Sequence, residues 1–173
     1  MSFTVRRRFR PAVPALAIVL LAGTAGCSAA RPDLAPPAPT GEAAAACESL
    51  YEALPERVED QDRWMPPEET RYAAAWGDPA IVLRCGVPRP ALLTPETETY
   101  DPFADAVEVN GVSWLLEEQE DGYLFTTTDR AVLAEVSVPG AYAPEVGALV
   151  DVAEAVEATL PLDPLYEDPH SHH

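Results

Sequence analysis

The chain has 173 residues, 29 of them acidic and 11 basic, and its formal net charge is −18 at pH 7. A field of this sign disfavours nucleic acid as a direct partner. No lysine is present, so a lysine Schiff base and a lysine-containing phosphate loop are excluded within this sequence. The histidines are His170, His172 and His173, which leaves the rest of the chain without a histidine-dependent triad or a histidine metal site. We therefore expect no cofactor, no metal site and no assignable catalytic residue.

Residues 1–26 have the pattern of an export signal. A run of arginines at residues 6–10 precedes a short apolar segment at residues 12–22. That segment is too short for a membrane span, which takes about 20 residues. Thr24-Ala25-Gly26-Cys27 resembles the bacterial lipoprotein signal, in which the cysteine is lipidated and becomes the mature N-terminus. We predict lipidation of Cys27; the alternatives are ordinary secretion, or an uncleaved anchor to which Cys27 is merely close.

Residues 27–42 are rich in proline and alanine, a composition that cannot bury a core and tends to be extended. We interpret this segment as a tether. Residues 43–161 then form a single α+β domain of roughly 120 residues, long enough for one core. Residues 162–173 are predicted to be a disordered tail. The predicted location is the outer face of the cytoplasmic membrane, through the lipid anchor, or the secreted fraction.

The first predicted helix covers residues 42–54, where Cys47, Leu50, Tyr51 and Leu54 follow the spacing of one helical face. Cys47 therefore faces the core. In an exported chain, Cys47 and Cys85 favour a disulfide, and two buried free thiols are the alternative.

Several segments are typical of strands. Apolar residues 73–76 and 80–83 flank the turn residues Gly77-Asp78-Pro79, so residues 76–87 are predicted to be a buried hairpin at the centre of the domain. Residues 57–64 are a short strand or irregular, and residues 88–101 are a loop. Further strands are predicted at 106–116, as a hairpin around Asn110-Gly111, and at 123–128 and 132–138.

The second predicted helix follows Pro144, which suits a first helical turn, and ends at Pro161. Its apolar face consists of Val146, Leu149, Val150, Ala153, Val156 and Leu160. The resulting fold class is α+β: an antiparallel β-meander of about five strands packed by an N-terminal and a C-terminal helix.

Four residues are candidates for a binding surface: Asp78, Arg84, Trp76 and Trp114. Asp78 could be a ligand-binding acid or a turn residue before proline. Arg84 lies in an apolar strand and needs a carboxylate, which Asp78 or a glutamate of the meander could supply; recognition of an anionic ligand is the alternative. The tryptophans could line a groove or pack in the core.

Residues 76–87, with Val109-Asn110-Gly111-Val112-Ser113-Trp114 downstream, resemble the DUF3515 family of actinobacterial exported proteins. The resemblance covers about residues 43–160. It implies an envelope-associated protein of unknown function, without catalytic residues to carry over. It also supports the pairing of Cys47 with Cys85.

The sequence thus predicts a non-enzymatic binding or accessory module of the cell envelope. Its expected partners are the membrane, through the lipid anchor, and an envelope protein or cell-wall component. The alternative is a small hydrolase that acts on envelope glycan with two carboxylates, because that chemistry needs no histidine.

Overall fold

The computed structural model describes residues 34–65 and 71–166. The helices are α1 (Gly41–Ala53) and α2 (Gly147–Thr159), with short 3-10 helices at Ala91–Leu93 and Gly140–Tyr142. The strands are β1 (Arg57–Val58), β2 (Gln61–Asp62), β3 (Ala73–Trp76), β4 (Ile81–Cys85), β5 (Ala106–Val109), β6 (Val112–Gln119), β7 (Gly122–Thr127) and β8 (Ala134–Val138). The α+β class is confirmed. The predicted export signal and Cys27 lie outside the described residues.

The main sheet has six strands in the order β3-β4-β8-β7-β6-β5, and every neighbouring pair is antiparallel. Strands β5 to β8 form the predicted meander, because each pairs with the next strand along the chain. The β3-β4 hairpin joins this meander through β8. The hairpin is therefore at one edge of the sheet, and its predicted central position is wrong. Strands β1 and β2 form a separate two-stranded ribbon.

Turn chemistry explains why the meander folds back where it does. Asn110 and Gly111 have φ of 49° and 78°. Positive φ at both central residues is what a type I′ turn requires, so the predicted turn between β5 and β6 is confirmed. Gly122 begins β7 with φ of 107°, and a Cβ added there would lie 2.1 Å from the Val138 carbonyl oxygen. Only glycine allows these two strands to approach so closely.

The core lies between the sheet and the two helices. Leu50 of α1 and Leu149 and Val156 of α2 are fully buried with Trp76 and Phe125 of the sheet. The disulfide between Cys47 and Cys85 also lies in this layer.

The predicted apolar face of the second helix needs correction. Val146 and Val150 are 37% and 53% exposed, while Ala148, Val152 and Ala155 are buried. Small side chains let the helix backbone approach its neighbours closely, and hydrophobicity alone does not reveal this. The helix also begins at Gly147, so Pro144 precedes it and does not occupy its first turn.

The sheet has two ends that bear on function. At the end that we call the near end, the Gly86 N–H donates to the Leu133 carbonyl at 2.8 Å, and the Arg130 guanidinium donates to the Gly111 carbonyl at 2.8 Å. The Ala131 N–H donates there to the Pro161 carbonyl, so the chain beyond α2 still contacts the domain.

The opposite end, the far end, contains the turns at residues 77–80 and 120–121 and the residues that follow β8. The Tyr142 hydroxyl donates to the Pro79 carbonyl at 2.7 Å, which joins two of these segments.

The connection from β4 to β5 spans the sheet from one end to the other. Because four antiparallel steps separate β4 from β5, the two strands are parallel and the connection runs from the near end to the far end. It starts where Val87 donates to Leu133 and ends where the Asp105 carbonyl accepts from Leu116. The helices occupy one face of the sheet, and on the second face Leu115 and Thr126 are nevertheless 0% and 1% exposed.

Candidate functional site

The predicted disulfide is formed between Cys47 and Cys85, with a Cα–Cα distance of 5.5 Å. Cys47 lies in α1, and Cys85 is the last residue of β4. The bond therefore joins the first helix to the near end of the sheet. Both cysteines are buried, so neither is a candidate nucleophile.

The four candidate binding residues do not share a surface. Trp76 and Trp114 are both 0% exposed and belong to the core beneath the helices. Asp78 is exposed in the turn between β3 and β4 at the far end. Arg84 lies on the second face of the sheet, opposite the tryptophans. The geometry thus separates the four residues into three environments: the core, the far-end turn and the second face.

Arg84 belongs to a polar strip on the second face. Its guanidinium forms an ion pair and a hydrogen bond with Glu135, directly across from it on β8. Glu135 is 9% exposed, and its neighbour across the next strand pair is Thr126. The carboxylate for Arg84 is therefore a glutamate of the meander, one of the two alternatives predicted from sequence.

The strip continues along β6 to Glu117, which shares this face because it lies two residues beyond Leu115, the cross-strand partner of Thr126. Burial raises the pKa of the Glu117 carboxyl, and repulsion from Glu135 raises it further. The Thr126 hydroxyl has no hydrogen-bond partner among the described residues. Two carboxylates in different environments, one paired with arginine and one with a raised pKa, are the arrangement that divides acid and base roles in some hydrolases.

A second buried charge pair lies at the near end. Arg130 and Asp129 are 4% and 8% exposed, and the Arg130 Nε to Asp129 Oδ1 distance is 3.4 Å. Arg130 also donates to the carbonyls of Leu160 and Gly111, and Asp129 accepts from the Ser113 N–H. These bonds fasten the end of α2 and the β5-β6 turn to the sheet, so we assign the pair a structural role.

Asp78 is surrounded by contacts that hold the far-end turn. The Trp64 indole N–H donates to the Gly77 carbonyl at 2.7 Å, and Tyr142 donates to Pro79. The pKa of the Tyr142 hydroxyl is raised, first by burial and then by the Asp78 carboxylate, while a hydrogen bond with the Asp78 backbone opposes this. Asp78 is thus an exposed residue in a turn that these hydrogen bonds hold in place.

A further acidic contact fastens the β1-β2 ribbon to α2. The Glu59 N–H donates to Asp151 Oδ2 at 2.8 Å. The pKa of the Glu59 carboxyl is raised by burial and by its repulsion with Asp151 and Asp60.

Within residues 34–65 and 71–166, no three His, Cys, Asp or Glu side chains are placed to hold a metal ion together. None of the described helices is both long enough and apolar enough to cross a bilayer.

Sequence reasoning missed Glu135, Glu117 and the Asp129–Arg130 pair as members of sites. The sequence predicted a strand at residues 132–138 and a glutamate of the meander as a partner for Arg84, without indicating which one. The position of Glu135 depends on the pairing of β8 with β4. The sequence contains only one indication for Arg130, namely its position just after the threonines that end a predicted strand.

These features define a small disulfide-bonded α+β domain with one ion pair on the second face of its sheet and another at the near end. The family described as "Protein of unknown function (DUF3515)" matches residues 11–165. The chain belongs to this family, as the motifs at residues 76–87 and 109–114 predicted. No curated protein and no solved structure matches the chain.

Proposed function

We propose that this chain is exported, is anchored to the outer face of the cytoplasmic membrane by a lipid on Cys27, and acts there as a binding or accessory module. The observation that carries this proposal is the Cys47–Cys85 disulfide, because such bonds persist in oxidising compartments outside the cytoplasm. The arginines, apolar segment and lipoprotein-like motif of residues 1–27 favour the same location.

The charged side chains inside the domain favour binding over chemistry. Arg84 is paired with Glu135. Arg130 is paired with Asp129 and also donates to two backbone carbonyls. The charge of the chain without its export signal is strongly acidic. The signal contains the four arginines of residues 6–10, so its removal leaves seven arginines against 29 acids, a net charge of −22. Charge complementarity therefore favours a partner with basic groups, either an envelope protein or a cell-wall component.

The test is the intact mass of the native protein from its membrane fraction, measured with and without reduction and thiol labelling. We expect an acylated chain that starts at Cys27, with Cys47 and Cys85 labelled only after reduction. An unmodified Cys27 in the soluble fraction would contradict the anchor. Free labelling of Cys47 and Cys85 would contradict the oxidising location as well.

A second candidate function is the carboxylate-dependent hydrolysis of envelope glycan. Glu117 favours it, because its pKa is raised on the same face as the arginine-paired Glu135. In such a reaction Glu117 would be the general acid and Glu135 the carboxylate partner. The assay is release of reducing ends from peptidoglycan across pH, comparing the wild type with Glu117→Gln and with Glu118→Gln, an exposed neighbour. Turnover that only Glu117→Gln abolishes would establish the hydrolase and reject the binding module.

A further inference from the structure

The described chain begins on the surface of the near end. Leu34, Pro37 and Pro39 are each half-buried, so the last part of the predicted tether lies against the domain. Pro39 packs on Gly86, where an added Cβ would lie 2.8 Å from the proline Cβ. The segment that leads from the domain toward Cys27 is therefore fixed at the near end at Pro39.

The distance from Cys27 to this point is short. Seven peptide steps separate Cys27 from Leu34, and a fully extended chain of that length reaches at most about 25 Å. A domain of roughly 120 residues has a radius of gyration of about 14 Å and is about 35 Å across. The reach is thus shorter than the domain is wide, so an anchor at Cys27 keeps the surface on which Leu34 packs close to the bilayer, and Pro39 connects that surface to the near end.

Exposed apolar side chains lie at this same end. Leu162, Leu165 and Tyr166 are 39%, 88% and 53% exposed. Asp163 holds them in a turn, because its carboxylate accepts from the Leu165 N–H and its carbonyl accepts from the Tyr166 N–H. Asp163 also lines a cavity of about 410 Å³ together with Pro39. The apolar turn is therefore next to the place where the chain enters from Cys27.

The distribution of charge agrees with this orientation. The near-end cavity is lined by the exposed Arg89, by Asp163, and by the buried Arg130 that is paired with Asp129, so these charges balance. The turns at the far end carry exposed acids and no arginine; the acids are Asp78, Asp105, Glu118, Glu120 and Asp121. A membrane with anionic headgroups repels the far end more strongly than the near end.

We propose that Leu162, Leu165 and Tyr166 form a second contact with the membrane, inserting into the interface of the bilayer beside the lipid anchor. Leucine supplies apolar area, and tyrosine has the amphipathic ring that is enriched at membrane interfaces. The contact rests on the proposed lipidation of Cys27, which brings this surface to the bilayer. It orients the domain, so that the acidic far end points away from the membrane and toward the envelope.

Photo-crosslinking of the full chain tests this orientation. The variants are Leu165→p-benzoylphenylalanine and, as the matched control, Phe103→p-benzoylphenylalanine. Phe103 is 89% exposed and lies just before β5, toward the far end. Each protein is purified from membranes, its acylation at Cys27 is verified by intact mass, and it is reconstituted in phosphatidylcholine vesicles and irradiated.

We expect lipid adducts at position 165 in several-fold excess over position 103, unchanged at high salt because the contact is apolar. Equal labelling at the two positions in an acylated protein would overturn the membrane contact and leave the proposed function intact. Adducts to protein at position 165 would overturn it as well, since the surface would then bind a protein. An unmodified Cys27 would refute the proposed function, and the orientation with it.

Discussion

Removal of the Cys47–Cys85 disulfide is the perturbation whose magnitude follows most directly from the structure. The bond closes a loop with a sequence separation of 38. In the chain-entropy account, cross-linking a loop of this length stabilises the folded state by about 4 kcal/mol, because it restricts the unfolded chain. Domains of this size have a free energy of unfolding of about 5–15 kcal/mol, so the double variant C47A/C85A should lose a large part of its stability.

The assay is equilibrium unfolding in urea, followed by tryptophan fluorescence from the buried Trp76 and Trp114. We expect a lower midpoint and a larger m-value, since the unfolded chain without the cross-link exposes more surface. Wild-type protein in the presence of a reductant is the control, and it should show a similar loss. A loss below about 1 kcal/mol in both samples would refute the loop-entropy account for this protein.

Three further predictions concern the polar strip and the strand packing. Arg84→Met should lower the free energy of unfolding in urea by about 2 kcal/mol at pH 7, because it leaves the buried Glu135 carboxylate without its cation; the exposed Arg57→Met is the control and should change stability by less than about 0.5 kcal/mol. Glu117→Gln should raise the midpoint of thermal unfolding at pH 7 but leave it unchanged below pH 4.5. The reason is that a carboxyl whose folded pKa is raised above 4.5 destabilises the fold only once it ionises. An equal effect at both pH values would contradict the raised pKa. Gly122→Ala should lower the free energy of unfolding in urea by about 3 kcal/mol or more, since its Cβ would lie 2.1 Å from the Val138 carbonyl oxygen and its φ is positive. An unchanged free energy of unfolding would show that the two strands can separate there.

The parts of the fold that sequence could predict depend on neighbours along the chain. Asn110-Gly111 specifies its turn by the positive φ that those residues tolerate, and alternation on either side then fixes which face each residue of β5 and β6 occupies. The first helix was predicted within a residue of its observed bounds, because Pro55 stops it and its apolar spacing is regular. In these segments, local preference and final structure agree.

The parts that sequence could not predict depend on contacts between distant segments. Arg84 and Glu135 are 51 residues apart, and they face each other only because β4 pairs with β8. Nothing local to either strand specifies that pairing. The burial of Thr126 has the same origin: it lies on the face away from the helices, where its own strand alone does not indicate that it is 1% exposed.

If Cys27 carries a lipid as we propose, the disulfide lies where it can transmit force from the anchor to the sheet. Any force on the anchor first reaches the segment at residues 34–39, where Pro39 packs on Gly86, and then α1. Thr40, the residue that caps α1, makes no side-chain hydrogen bond to it, so the start of the helix is held only weakly by its own cap. Cys47 lies in the second turn and is bonded to Cys85, on a strand that pairs with neighbours on both sides. Fraying from the anchored end therefore stops at Cys47, and the load passes into the sheet through a covalent bond.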